Sequence, residues 1–510
     1  MSNKTSKIVV LIATLGAAYI GASWWLGKQV EARYAVLMDR AVTQFGPDIF
    51  VERHYERGLF SSTSSVVMQF DWAPIWQDAA LDEDEAASAG EQSMESSAVP
   101  AEGAPPPEST PNPAPKNPAQ KIRLTFQDDI RHGPLLPGTT FGAARIQTRL
   151  IKVDGADDAT RQMFAKVKPP EFDTLAGFDG TFSGQARLPA GEMTDPKIPD
   201  NTAQWQELVY DYRYSTDASH IEGSVRWPQF TLHASSTSSD NGEGAVALRM
   251  DGLKSDFDIT QVGERWLFVP GHSNGALDAV ALSYRGEGQS DLKSILDLKN
   301  LKYENTATSQ NQLMNSTGTI IGEGRIGGLA LKEIRLESQI QRVSETGLMA
   351  VQKMLTKTKS ETQDQEVEKF LDELDDTLRQ LLKGQPEYRF SLNATTPDDQ
   401  TAKLNYHIML SEDKEGSDKK PWMITLRQRL SADVDLRLPK AWLPTLADLV
   451  NNPDVTPEIV TDLAQTLAQQ GLIVEEGDAY VAKAQVGNNQ INLNGKPLFG
   501  GGMGMGRQTQ

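Results

Sequence analysis

The sequence predicts an α+β fold: a predominantly antiparallel β body with a few packed helices, preceded by one N-terminal transmembrane helix. Three observations carry this. Residues Ile8 to Leu26 form an apolar run with no charged side chain. Stretches of alternating polarity, separated by Gly, Asp, Asn and Ser clusters, recur over residues 121–341. Segments with helical apolar spacing then interrupt a second set of strands.

The apolar run comes first. Nineteen residues at about 1.5 Å each span roughly 28 Å, close to the hydrocarbon thickness of a bilayer. Trp24 and Trp25 suit the interface. The alternative is a cleaved signal peptide, with Lys4 and Lys7 as its charged start and Gly21-Ala22-Ser23 as a small-residue cut site. The run exceeds the usual signal-peptide core of about 7–15 residues, which favours a retained anchor. Beyond it, Val30, Tyr34, Leu37, Met38, Ala41 and Phe45 keep helical spacing until Gly46-Pro47. That stripe reads as a docking face against the body, with a short coiled-coil stalk as the alternative. Ala17 and Gly21 give one small-xxx-small pair that permits close helix pairing.

Residues 51–72 read as extended chain broken at Gly58. Asp78 to Gln120 is acidic around Asp82-Glu83-Asp84-Glu85 and proline-rich around Pro105-Pro106-Pro107. Such a segment buries too little apolar surface to offset its ordering, so a disordered insertion is expected. Strands are expected at Ile122–Phe126, Gly177–Leu188, Val209–Tyr214, Val225–His233, Ala245–Met250, Ala276–Tyr284 and Leu329–Ile340. Helices are expected from Ser344 to Lys357 and from Val367 to Leu382. Strands return at Tyr388–Asn393, Leu404–Leu410, Trp422–Leu430 and Ala432–Leu438. A helix at Pro457–Gln469 precedes a hairpin of Tyr480–Val486 and Ile491–Leu493. The expected division is a cytoplasmic N-terminus at 1–7, a transmembrane helix at 8–26, and a juxtamembrane helix with the first extended segment at 27–77. It continues with the insertion at 78–120, a β-rich domain at 121–341, an α+β domain at 342–498 and a flexible tail at 499–510.

The chain has 510 residues, no cysteine and a net charge of −19. The charge argues against nucleic acid, which needs clustered Lys and Arg. Gly271-His272-Ser273-Asn274-Gly275 matches the G-x-S-x-G nucleophile elbow, but strand is expected on both sides, so a hairpin turn is the simpler reading. Gly322-Glu323-Gly324-Arg325-Ile326-Gly327 matches G-x-G-x-x-G without the helix that would receive a pyrophosphate, and reads as a loop. The six histidines show no short metal-ligand spacing. No catalytic residue, cofactor or metal is expected.

Several segments nevertheless form an ordered series. Tyr55-Glu56-Arg57-Gly58-Leu59-Phe60-Ser61-Ser62 follows the anchor. Arg131-His132-Gly133-Pro134 ends a strand, and Ser431–Pro439 and Asn489–Gly495 close the body. In this order they resemble the YdgA family of bacterial cell-envelope proteins, with the long insertion at 78–120 as a departure. The resemblance implies an inner-membrane protein with a periplasmic body, a homodimer, and no catalytic residues. Its signature residues Tyr55, Arg57, Gly58, Phe60, Ser61, His132, Gly133 and Pro134 read as structural. Tyr55 and Phe60 are expected in the core. Gly58 is expected to permit a bulge or positive φ, Arg57 to pair with a buried carboxylate or a carbonyl, and His132 to hydrogen-bond within a turn. The expected function is a non-enzymatic envelope protein that binds another protein or itself. The alternatives are a carrier that holds lipid on an apolar sheet face and an enzyme acting on envelope polymers.

Overall fold

The computed structural model describes residues 2–46, 48–72, 120–138, 140–217, 219–238, 242–260, 265, 267–286, 291–357, 366–411, 426, 428–447, 455–487 and 490–499; side chains before Ala17 lie outside this description. The insertion expected at 78–120 is therefore outside the described residues, apart from Gln120, which opens a strand.

Helix α1 (Ser2–Phe45) runs unbroken from the apolar segment to Gly46. The strands follow in order: β1 (Phe50–Arg57), β2 (Ser61–Trp72), β3 (Gln120–His132), β4 (Leu135–Leu136), β5 (Thr140–Phe141) and β6 (Ala144–Asp154). After the short helix α2 (Asp158–Phe164) come β7 (Glu171–Ala176), β8 (Phe182–Leu188), β9 (Gly191–Thr194), β10 (Thr202–Trp205) and β11 (Leu208–Tyr214). Six long strands follow: β12 (His220–Ser238), β13 (Gly242–Thr260), β14 (Gly271–Arg285), β15 (Lys293–Gln310), β16 (Leu313–Ile326) and β17 (Leu329–Ser344). Helices α3 (Glu345–Lys357) and α4 (Glu366–Leu382) precede β18 (Glu387–Thr395), β19 (Thr401–Leu410) and β20 (Leu430–Pro439). The chain closes with α5 (Leu443–Ala447), α6 (Pro457–Gln469), β21 (Val474–Glu476), β22 (Ala479–Gly487), β23 (Gln490–Leu493) and β24 (Lys496–Phe499).

All strands except β4 and β5 join one antiparallel sheet of 22 strands, and most pair with their neighbours in the chain. The boundary expected at 341/342 falls inside β17, which pairs β16 on one side and β18 on the other. Among the described residues of this sheet β1, β9, β21 and β24 each have a single partner strand, and β1 and β24 are the first and last strands of the chain. Charged residues dominate β1, and Pro497 interrupts the donors of β24, which blunts both edges against further pairing.

The strands are two-faced. One rung reads Val225, Ser255, Gly275, Tyr303, Ile320, Leu336, Leu392, Leu404, Leu436 and Ala482 across β12 to β22. The next rung, on the opposite face, reads Ser224, Asp256, Asn274, Glu304, Thr319, Glu337, Ser391, Asn405, Asp435 and Lys483. At these two rungs, neighbouring residues on each strand point to opposite sides, which gives one apolar and one polar surface.

The helices pack on the apolar face. Leu26 and Val30 of α1 cover Ile130, Ile146 and Phe182, α2 sends Met163 against Trp205, and Leu348 and Leu381 of α3 and α4 cover Met314. Leu443 of α5 and Ala464 of α6 sit on Tyr480. Local signals start several helices: Ser344 accepts from the Gly347 N–H, Asp157 from Thr160, and Thr456 from Ile459 with Pro457 at the first turn.

Four readings are corrected. Gly271–Gly275 lies inside β14, not in a turn, and Gly322 and Gly324 lie inside β16 at a register shift. In the stretch read as strand from Trp422 to Leu430, the described residues Leu426, Gln428 and Arg429 are helical, and strand begins at Leu430. Phe499, expected in the tail, is the last residue of β24.

Candidate functional site

The signature residues gather where α1 meets the sheet. Gly58 and Phe60 lie in the turn joining β1 and β2, and His132 ends β3 beside them, its N–H donating to the Phe60 carbonyl at 2.8 Å. Gly133 and Pro134 turn the chain toward β4.

Helix α1 lies across this corner. Arg57 donates to Glu31 of α1 at 2.9 Å and places its guanidinium 6.0 Å from the Trp24 ring centroid. His132 is buried; its Nε2 lies 3.1 Å from Ser62 Oγ, and Gly27 of α1 passes so close that a Cβ there would sit 2.5 Å from Nδ1. A side chain at Gly133 would meet the Tyr19 hydroxyl and Ser23. The Tyr19 hydroxyl donates to the Leu135 carbonyl at 3.2 Å. Further along α1, Tyr34 donates to Asp128 at 2.5 Å and accepts from Ser64 at 2.9 Å, and Thr148 also donates to Asp128. Asp128 is a buried carboxylate on the face that α1 covers, and Tyr34 of α1 and Thr148 of β6 satisfy it. Burial, then the Asp128 charge, pushes the Tyr34 phenol far above its usual range. Burial, then the Arg57 charge, holds the His132 imidazole below its usual value, with Glu31 opposing.

Tyr55 packs against the core under α1 as expected, half-buried, its ring 5.7 Å from Tyr34. Several other expectations change here. Phe60 is exposed rather than in the core, stacked on Tyr19 at 6.2 Å. Gly58 has no positive φ; its N–H donates to the Ser61 carbonyl at 2.8 Å, and a Cβ would sit 2.6 Å from that oxygen. Close approach, not handedness, requires glycine. Arg57 pairs with a half-exposed carboxylate, not a buried one. His132 is held by β2 and α1, not within a turn. Pro134 contributes its carbonyl to the Gly142 N–H. These residues seat a helix, and the Ser62–His132 hydroxyl–imidazole contact among them is buried beneath it.

The second feature is the apolar face beyond that seat. From Tyr55 the same rung passes Ser64, Asp128, Thr148, Phe172, Ala186 and Tyr210 before reaching Val225. At about 4.8 Å per strand, the path from β1 to β22 measures on the order of 75 Å along the sheet. Between the helix-covered zones lies a band of half-exposed apolar side chains, including Phe257, Tyr303, Leu336, Leu392, Leu404 and Leu436, with Ile320 at 41 % exposure. None of them belongs to the clusters formed under the helices. Within the band, glycines face rings across the strands. Gly223 lies against Phe257, Gly275 against Tyr303 and Gly184 against Tyr212, where a Cβ would strike the ring or its hydroxyl.

The polar face carries a shallow trough over β11 to β14, lined by Asp211, Arg213, Glu222, Asp256, Asp258 and His272. There the ligand atoms of His220, Glu222 and Asp258 lie within 4.8 Å of one another. Glu222 also pairs with Arg213 at 3.5 Å, and His220 with Asp258 at 3.6 Å, so surface charge pairing accounts for the group.

The molecule is thus a long antiparallel sheet with helices on one face and an apolar band left between them. The chain belongs to a family of bacterial proteins of unknown function (DUF945), matched over residues 2–499. No curated protein and no solved structure matches it.

Proposed function

We propose that this protein is a membrane-anchored, periplasmic cell-envelope protein that holds acyl chains on the apolar face of its sheet. The observation that carries the reading is the half-exposed rung from Val225 to Leu436, continuous over nine strands and bounded by helices. Exposed apolar surface of that extent is a binding surface by default, because leaving it in water is unfavourable by about 25 cal/mol per Å². A chain-like apolar ligand fits a stripe better than a compact ligand does.

The anchor is part of the proposal. Among the described residues no helix is long and apolar enough to cross a membrane. The support is the uncharged sequence from Ile8 to Leu26, much of it before Ala17. The YdgA-like signature supports the inner-membrane, periplasmic placement. Self-association, also implied by that resemblance, is assigned to Ala17 and Gly21. Both are exposed on α1, and a Cβ placed at Gly21 would meet nothing within 4 Å. No reaction is proposed.

The test is photocrosslinking in cells. A photoreactive phenylalanine at Ile320 is expected to yield a phospholipid adduct by mass spectrometry, whereas the same group at Thr319, on the polar face, yields none. Equal or absent lipid labelling at both positions would remove the carrier reading.

A further inference from the structure

The corner that seats α1 exposes more apolar surface than its packing needs. Phe141 is 71 % exposed, Phe178 52 %, Leu135 50 % and Leu59 44 %. They come from separate turns: between β1 and β2, after β3, in β5, and between β7 and β8. Hydrogen bonds hold these turns together. His132 N–H reaches the Phe60 carbonyl, Gly142 N–H reaches Pro134, and Ala143 N–H reaches Ala176. The tips therefore form one rigid rim, not scattered exposed residues.

Helix α1 leaves the body at this rim. Ser23, Leu26, Gly27 and Val30 are buried against the sheet, whereas Ala17 to Gly21 are exposed. Tyr19 stacks on Phe60 and bonds to Leu135, while Trp24 and Trp25 stay exposed beside them. The apolar segment from Ile8 thus continues away from the place where the aromatic tips cluster. The last turns of the expected span, from Ile20 to Leu26, are shared with the body, so a helix placed in lipid from Ile8 draws the rim to the bilayer. Asp179 follows Phe178 but is turned into its own loop, accepting from the Thr181 N–H and hydroxyl.

We propose that the rim of Leu59, Phe60, Leu135, Phe141 and Phe178 inserts into the membrane interface beside α1, docking the body against the lipid surface. The inference rests on the anchor assigned under the proposed function. Interfacial aromatic and aliphatic tips gain from burial in the headgroup region as amphipathic anchors do. The docked rim stands the first strands on the bilayer and brings the apolar face within reach of lipid.

The absence of cysteine allows the test on the full chain with single introduced thiols. Spin labels at Phe141→Cys and Phe178→Cys are compared with Ile12→Cys in the anchor and Lys168→Cys at the far strand ends. The protein is reconstituted in phosphatidylethanolamine–phosphatidylglycerol vesicles. The expected result is a several-fold higher ratio of oxygen to nickel-chelate collisions at 141 and 178 than at 168, approaching that at 12. Water-like values at 141 and 178 with lipid-like values at 12 would overturn the rim and leave the anchor standing. Water-like values at 12 as well would remove the anchor and the rim together. Dipolar broadening between copies at 141, in place of oxygen access, would assign the rim to a second chain and overturn the proposal.

Discussion

His132 illustrates how a single buried group couples the helix seat to pH. Its folded value lies below the unfolded value of about 6.5, because burial disfavours the charged ring. Below about 6.5 the unfolded chain takes up a proton that the folded chain refuses. Stability from this group is therefore full above that pH and declines as pH falls toward the folded value. Thermal unfolding in one detergent should show a midpoint that drops between about pH 7.5 and 5.5, and His132→Gln should flatten that slope. An unchanged slope would show that the ring ionises freely. Arg265 gives a second expectation. It is 1 % exposed and reaches Glu345 at 3.3 Å and Met314 Sδ at 3.2 Å. Removing one partner of a buried ion pair leaves a charge unpaired, which costs about 3 kcal/mol or more. Glu345→Ala should lower the denaturant midpoint accordingly, whereas replacing both partners, Arg265→Met with Glu345→Leu, should cost less than the single change.

Helices α3 and α4 approach each other through Gly347, where a Cβ would lie 2.2 Å from the Leu381 Cα. Alanine gains about 1 kcal/mol of helix propensity over glycine, yet forcing two backbones apart costs about 1–3 kcal/mol. Gly347→Ala is expected to destabilise, read as a lower unfolding midpoint with far-UV circular dichroism retained. Elements such as α6 and the closing hairpin were legible in the sequence because local signals agree: Thr456-Pro457 starts the helix and Gly471 stops it, and both neighbours of the Gly487 turn alternate. Strands β15 and β16 were not. Register shifts at Lys299/Lys302 and Gly322/Gly324 move the apolar residues from one parity to the other, so period two fails within each strand. Gly271, Ser273 and Gly275 read as turn residues, but Gly271 and Gly275 lie in close approach within the sheet, with the Tyr303 ring over Gly275. Likewise, the signature around Arg57 and His132 was visible as a motif, while its purpose was hidden. Its partners Glu31, Gly27 and Tyr19 stand on α1, remote in sequence and inside or beside a segment that reads only as an anchor.

The sheet runs through the boundary expected at residue 341, since β17 is bonded on both sides. Expression of residues 1–341 alone would expose the whole inner edge of β17 and the apolar residues it shares with β18. The fragment is expected to sediment as aggregate, while the intact chain in detergent remains dispersed; a monodisperse fragment by size exclusion would show that two independent units exist. The charged β1 and the Pro497-bearing β24 blunt two of the sheet's edges against further partners. Between those ends nearly every strand lies beside the one that precedes it in the chain. A structure wound in this way has no thread to untangle when its length changes. Duplicating or deleting one hairpin would shift the downstream strands sideways by two spacings and keep every other rung intact. The reach of the greasy track is therefore a quantity that descent can adjust in small steps, as a ladder is extended, without inventing a new topology.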